Sequence, residues 1–177
     1  MFIKILLALV ALLAVILIVA AFQPSEFHVT RSTVIAAPAD RIFPEVNELK
    51  RWQPWSPYEK LDPQMRRSFA GPDRGVGAVY GWDGNNQVGS GKMTISESHP
   101  SDRIVIQLEF YKPMAGVSQA TFSFVPEGGQ TRVTWDMSGK NNYLAKIFCL
   151  FMNMDKMIGG QFAEGLASLK QQVEAKH

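Results

Sequence analysis

Cysteine and histidine are almost missing from this chain of 177 residues. Cys149 stands alone, and the histidines are His28, His99 and His177. One cysteine excludes an internal disulfide and a cysteine-based zinc site. No histidine has a carboxylate or cysteine at metal-ligand spacing, so no metal is expected. Charge is also sparse. Charged residues make up 19% of the chain and the net charge is +2. Setting Lys4 aside leaves 17 basic residues against 16 acidic ones, with no basic run or stripe, which argues against a nucleic-acid partner. Motifs of covalent and nucleotide chemistry are missing too. There is no Gly-x-Ser-x-Gly, no phosphate loop and no Gly-x-Gly-x-x-Gly, so no cofactor is expected. Low charge does not mean disorder here, because a hydrophobic fraction of 46% is enough for a real core.

The apolar residues are distributed unevenly. Residues 5–22 are an uninterrupted apolar run, with Phe2 and Ile3 ahead of the lone Lys4. As a helix, residues 2–22 span roughly 32 Å, close to the hydrocarbon thickness of a bilayer. Gln23, Pro24 and Ser25 end the run, and Arg31 is the only basic residue soon after it. The positive-inside tendency therefore puts the N-terminus in the cytoplasm and the domain on the extracytoplasmic side, periplasmic in a bacterium. Residues 1–24 are expected to be a transmembrane anchor and residues 25–177 one domain. The rival is a cleaved signal, with Val19 and Ala21 before the cut. Its weakness is that the run exceeds the usual apolar core of ~7–15 residues.

Beyond the run, periods of two and of 3.6 alternate along the chain. Residues 27–36 read as a strand. Pro38 opens a helix carrying Ile42, Phe43, Val46 and Leu49, which Pro44 should kink or shorten. Trp52, Trp55 and Tyr58, with Pro54 and Pro57 between them, read as an aromatic loop. Strands follow at 65–70, 77–82, 88–97, 104–110, 120–124 and 133–138, joined by turns such as Gly84-Asn85-Asn86. Seven strands, joined mostly by hairpin-length turns, make an antiparallel sheet with one polar face. Residues 143 to about 175 read as one helix, apolar nearly all round to Ile158 and amphipathic from Gln161. The expected fold is α+β: a curved seven-stranded sheet gripping a long C-terminal helix, with a cavity where one helix cannot fill the concave face.

The element order, Ala37-Pro38 after the first strand and Trp52-x-x-Trp55-Ser56-Pro57 resemble the START-like superfamily, in its polyketide cyclase/dehydrase and lipid-transport group. So do Gly75-Val76-Gly77-Ala78, Gly89-x-Gly91-x-Met93-x-Ile95, Thr131-Arg132-Val133-Thr134-Trp135 and Gly165-Leu166-x-x-Leu169-Lys170. The resemblance runs from about Phe27 to the C-terminus. It implies a helix-grip fold with an internal cavity for an apolar molecule. It implies no particular ligand and no catalysis.

The candidate wall of that cavity is aromatic and sulfur-rich. Trp52, Trp55, Tyr58, Tyr80, Trp82 and Trp135 combine apolar area with a polar handle, though core packing also explains such residues. Met93, Phe110 and Phe122 lie on strand faces, and Phe151, Met154 and Ile158 lie on the last helix. Met152, Met154 and Met157 together would make an adaptable wall. Asp155 shares a helical row with Phe151, Ile158 and Phe162. Facing an apolar cavity it would be a general acid or base; turned to water it would pair with a cation such as Lys156, Arg103 or Arg132. Gly159-Gly160 marks a hinge, a close approach to the sheet or a junction of two helices.

The function this favours is membrane-anchored binding of a hydrophobic small molecule, lipid-like or isoprenoid-like, without catalysis. The alternatives are a cyclase or dehydratase acting on an apolar substrate, and an interaction or envelope-stress module with a filled cavity. Carbonate extraction should leave the protein in the membrane fraction with its N-terminal residues intact. A soluble mature form starting near Phe22 would establish cleavage instead.

Overall fold

Alternation of apolar and polar residues becomes one antiparallel sheet in the computed structural model, which describes residues 2–175. Met1, His177 and the extreme end of the 25–177 domain lie outside the described residues. The strands are β1 (Glu26–Ile35), β2 (Arg66–Ala70), β3 (Val79–Asp83), β4 (Ser90–His99), β5 (Arg103–Lys112), β6 (Gly116–Glu127) and β7 (Gln130–Lys140). Their order across the sheet is β1-β7-β6-β5-β4-β3-β2. Hairpins join β2 through β7 in sequence, and β1 closes onto β7 because the chain leaves β1 through helices instead of a turn. Register fixes the inner face. Phe27, Gly139, Ser118, Leu108 and Met93 form one row across it, followed by Val29, Met137, Ala120, Ile106 and Ile95.

Helix α1 (Phe2–Ala21) is long and apolar enough to cross a membrane, and only Ala20 in it is buried. Helix α2 (Ala39–Asn47) has nine residues and contains Pro44, which lacks the N–H that a longer helix would use. The aromatic segment is not a plain loop. It forms a 3₁₀ turn (Leu49–Trp52) and a short helix α3 (Pro57–Leu61), opened by Pro57 at its first position.

The C-terminal helix expected over 143 to about 175 is two helices, α4 (Tyr143–Cys149) and α5 (Met154–Glu174). Each begins on an asparagine cap. The Asn142 side chain accepts from the Ala145 N–H and the Asn153 side chain from the Lys156 N–H, both at 2.8–2.9 Å. Asp155 in the first turn of α5 further favours a helix start there, because it faces the positive end of the helix dipole. Apolar spacing continues through residues 150–153, which is why periodicity alone missed the break.

Helix α5 lies against the inner face through Phe162, Leu166, Leu169 and Val173, all buried and at helical spacing. Gly165 allows the crossing. A Cβ there would come within 2.9 Å of both the Trp135 ring and Pro57. At Gly159-Gly160 the helix runs straight through, so the junction reading is wrong. Close approach applies to Gly159 alone, whose Cβ would overlap the Arg31 guanidinium. Gly160 faces open space. Gly160→Ala should therefore stabilise the protein by up to ~1 kcal/mol in a urea melt. Gly159→Ala should gain less, because the guanidinium must move.

Candidate functional site

One helix leaves part of the concave face uncovered, and a cavity of about 360 Å³ remains between sheet, α3 and α5. That lies in the usual range for small-molecule sites, ~300–1,000 Å³. The sheet contributes Tyr80, Trp82, Met93, Phe110 and Trp135 to its wall. The 3₁₀ turn and helices contribute Trp52, Tyr58, Met154 and Ile158. Trp82 fits because its ring lies over Gly91 on the neighbouring strand, 2.6 Å from where a Cβ would be.

Four of the expected wall residues lie elsewhere, one of them Met152, which is exposed in the break between α4 and α5. Trp55 is fully buried behind Trp52, with its ring 4.6 Å from that of Trp52 and its Nε1–H donating to the Glu45 carbonyl at 3.2 Å. Phe122 is likewise fully buried, 4.8 Å from the Trp135 ring. Both belong to the aromatic core that closes the inner end of the cavity. Phe151 falls in the break between α4 and α5 and is 70% exposed, since the helical row that placed it inward does not exist there.

Asp155 does not face the cavity. Arg31, an inner-face residue of β1 opposite Trp135, reaches past the sheet edge and donates to both Asp155 carboxylate oxygens at 2.9 and 3.0 Å. The same guanidinium donates to the Asp155 carbonyl. This pairing holds the carboxyl below its ordinary value and fixes the first turn of α5 on β1. The partner is Arg31, 124 residues away, and not Lys156, Arg103 or Arg132.

Polar groups of the wall that periodicity did not reveal come from α3 and the residue before it. Glu59 is buried and lines the cavity beside Ser56. Tyr80 donates to one carboxylate oxygen at 2.6 Å, and Arg67 donates to the other through Nε at 2.8 Å and through a terminal nitrogen at 2.6 Å. Burial pushes the Tyr58 hydroxyl up to about 12. Burial and the Glu59 carboxylate push Tyr80 well above the usual tyrosine range. Both tyrosines therefore stay protonated as donors. The only clue in sequence was a glutamate next to Tyr58; its partners lie 8 and 21 residues away on strands.

The cavity has a definite mouth. Its exposed wall residues, among them Lys112, Val117, Lys140 and Asn142, cluster at one end of the sheet. Register brings the start of β1, the ends of β5 and β7 and the start of β6 to that end: Glu26 faces Lys140, and Phe110 faces Gly116. Met157, expected in the wall beside Met154, lines the cavity as well, as does Phe162 of the same helix; Phe27, Leu108 and Met137 also line it and were not singled out in the sequence.

Because Tyr58 and Tyr80 ionise less readily folded than unfolded, their contribution is complete below the unfolded pKa near ~10 and is lost as pH rises. For Tyr58 the loss falls between ~10 and about 12. Stability measured by urea melts should decline over that interval, and Tyr58→Phe should flatten the decline.

Several solved structures share this architecture. Protein CV1439 from Chromobacterium violaceum superposes with a TM-score of 0.60 at 15% identity, covering 86% of this chain and 99% of that one. The Aha1 dimer from Colwellia psychrerythraea gives 0.60 at 16% identity, covering 84% and 96%. Ms6760 from Mycobacterium smegmatis gives 0.59 at 18%, covering 85% and 92%. At such identities the likeness concerns the fold. No functionally curated protein matches the sequence. Residues 26–174, from the first strand to the end of α5, match one family throughout, and the chain belongs to the polyketide cyclase/dehydrase and lipid transport family.

Proposed function

We propose that this protein binds a hydrophobic small molecule, lipid-like or isoprenoid-like, in the cavity between sheet and α5, without transforming it. α1 acts as a membrane anchor and keeps the domain on the extracytoplasmic face, the side favoured by Lys4 ahead of the apolar run. One observation carries the reading: an apolar-walled space of about 360 Å³ whose exposed lining residues lie at one end of the sheet. Water gains little in a space walled by Trp82, Met93, Leu108 and Phe110, whereas an apolar ligand gains from every contact.

The enzymatic alternative draws support from one feature. Glu59, Tyr80 and Tyr58 give the cavity convergent polar groups, as an acid–base reaction needs. Against it, both Glu59 oxygens already accept hydrogen bonds from Tyr80 and Arg67. Such a carboxylate is built to hold position and to receive a ligand hydroxyl on a spare lone pair.

The domain without α1, residues 25–177, should bind an environment-sensitive apolar fluorophore saturably and stoichiometrically. Leu108→Lys or Met154→Asp should weaken binding about tenfold or more, equal to ~1.4 kcal/mol, with the fold retained by circular dichroism. A folded domain with no saturable binding would favour a cavity that serves no ligand. Turnover that disappears in Glu59→Gln would favour the enzyme.

A further inference from the structure

We infer that α4 and the cavity mouth are seated in the membrane interface, so that ligand passes between bilayer and cavity without crossing water. The partner surface is the lipid bilayer itself. The inference rests on α1 as a membrane span and on the cavity as a ligand site, and the experiment below separates the three.

Helix α4 has no buried residue. Leu144 and Phe148 on it are 58% and 50% exposed, and Phe151 and Met152 just after it 70% and 44%. Val117 beside the mouth is 58% exposed. Scattered apolar exposure is ordinary, but these residues crowd one end of the domain. It is the end where the cavity opens and where α1 departs.

Depth follows from how α1 is held. Tyr143 of α4 donates its hydroxyl to the Leu17 carbonyl at 2.7 Å. Asn141 donates its backbone N–H to the Ser25 carbonyl at 2.9 Å, and the Lys146 ammonium bonds the Ser25 hydroxyl at 2.9 Å. Leu17 lies four residues before the end of α1, ~6 Å along the helix axis. A helix in contact with that turn lies at the depth of amphipathic interfacial helices, ~5–10 Å into the boundary between headgroups and acyl chains. Tyrosine is the residue type that favours this level, and Lys140 and Lys146 beside it can extend to the headgroups. Ala145, Met154 and Met157 complete the link, since they border the cavity from α4 and the start of α5. The apolar rim that touches lipid is thus continuous with the apolar wall inside.

The test uses the full chain in vesicles of phosphatidylethanolamine and phosphatidylglycerol, with Cys149→Ser so that each introduced cysteine is unique. Nitroxide is attached at Phe151→Cys and, as a control at the opposite end of the sheet, at Gln130→Cys. Power saturation by oxygen and by a water-soluble nickel chelate reads depth. The expected result is a position-151 label shielded from nickel and accessible to oxygen, with a water-exposed label at 130. Equal, water-like accessibility at both overturns the inference. A second arm follows a fluorescent long-chain alcohol moving from vesicle to protein. Phe148→Glu with Phe151→Glu should slow entry about tenfold or more while leaving equilibrium binding in detergent unchanged, because charge in the interface lifts the mouth away. Unchanged entry rates also overturn it. If the alcohol does not bind at all, the ligand reading fails while the depth measurement still decides the seating; loss of the chain on carbonate extraction removes the span.

Discussion

One helix cannot cover seven strands, and most of the structure follows from that mismatch. Six spacings of ~4.8 Å make the sheet ~29 Å wide, against ~10–12 Å for a helix with its side chains. The apolar inner face must be shielded somehow. At the inner end the solution is bulk: Trp52, Trp55, Phe122, Trp135 and Phe162 interlock, with Trp135 stacked on Phe162 at 4.0 Å between ring centroids. α2 and the aromatic turn exist in service of that plug. Toward the other end the rings thin out, Ser118 and Gly116 replace large residues on β6, and space remains.

That space is apolar but not featureless. Glu59 is a charge held in a low-dielectric wall, where removing it from water costs several kcal/mol and replacement by packed apolar side chains is often neutral or stabilising. Arg67 and Tyr80 supply the compensation, and they also tie α3 to the edge of the sheet at β2 and β3. Arg31 and Asp155 do comparable work on the opposite edge, at the surface, where they set the start of α5 more than they stabilise it. α5 is therefore clamped by its amphipathic second half and positioned by one ion pair at its first turn. α4 has no such hold on the sheet. It rests on the end of α1 instead.

Much of this was legible from residues alone. Period-two alternation over residues 104–110, 120–124 and 133–138 gave the central strands and their apolar faces. The apolar run before Gln23 announced a helix suited to a bilayer. The resemblance to the polyketide cyclase/dehydrase and lipid-transport group extended over the whole matched span. Wall residues on regular strands, such as Tyr80, Met93 and Phe110, could be named because alternation determines the face. Where the backbone left a regular period, side-chain placement was lost. Asn153 restarted a helix that periodicity continued, so Phe151 turned outward and Asp155 turned to Arg31. Trp55 was not separable from Trp52, because nothing local to Pro54 says which indole faces the core.

The sequence by itself determined the fold class, the order of elements and the apolar face of each, because these depend on local periodicity and on the few solutions that bury one face of a sheet. Only the tertiary structure decided which polar groups meet. Glu59 with Tyr80 and Arg67, and Arg31 with Asp155, are contacts between distant segments, set by strand register and by where helices cross the sheet. Register also decided that the cavity mouth and the end of α1 share one side of the domain, since it aligns Glu26 with Lys140 and Phe110 with Gly116 across strands far apart in the chain.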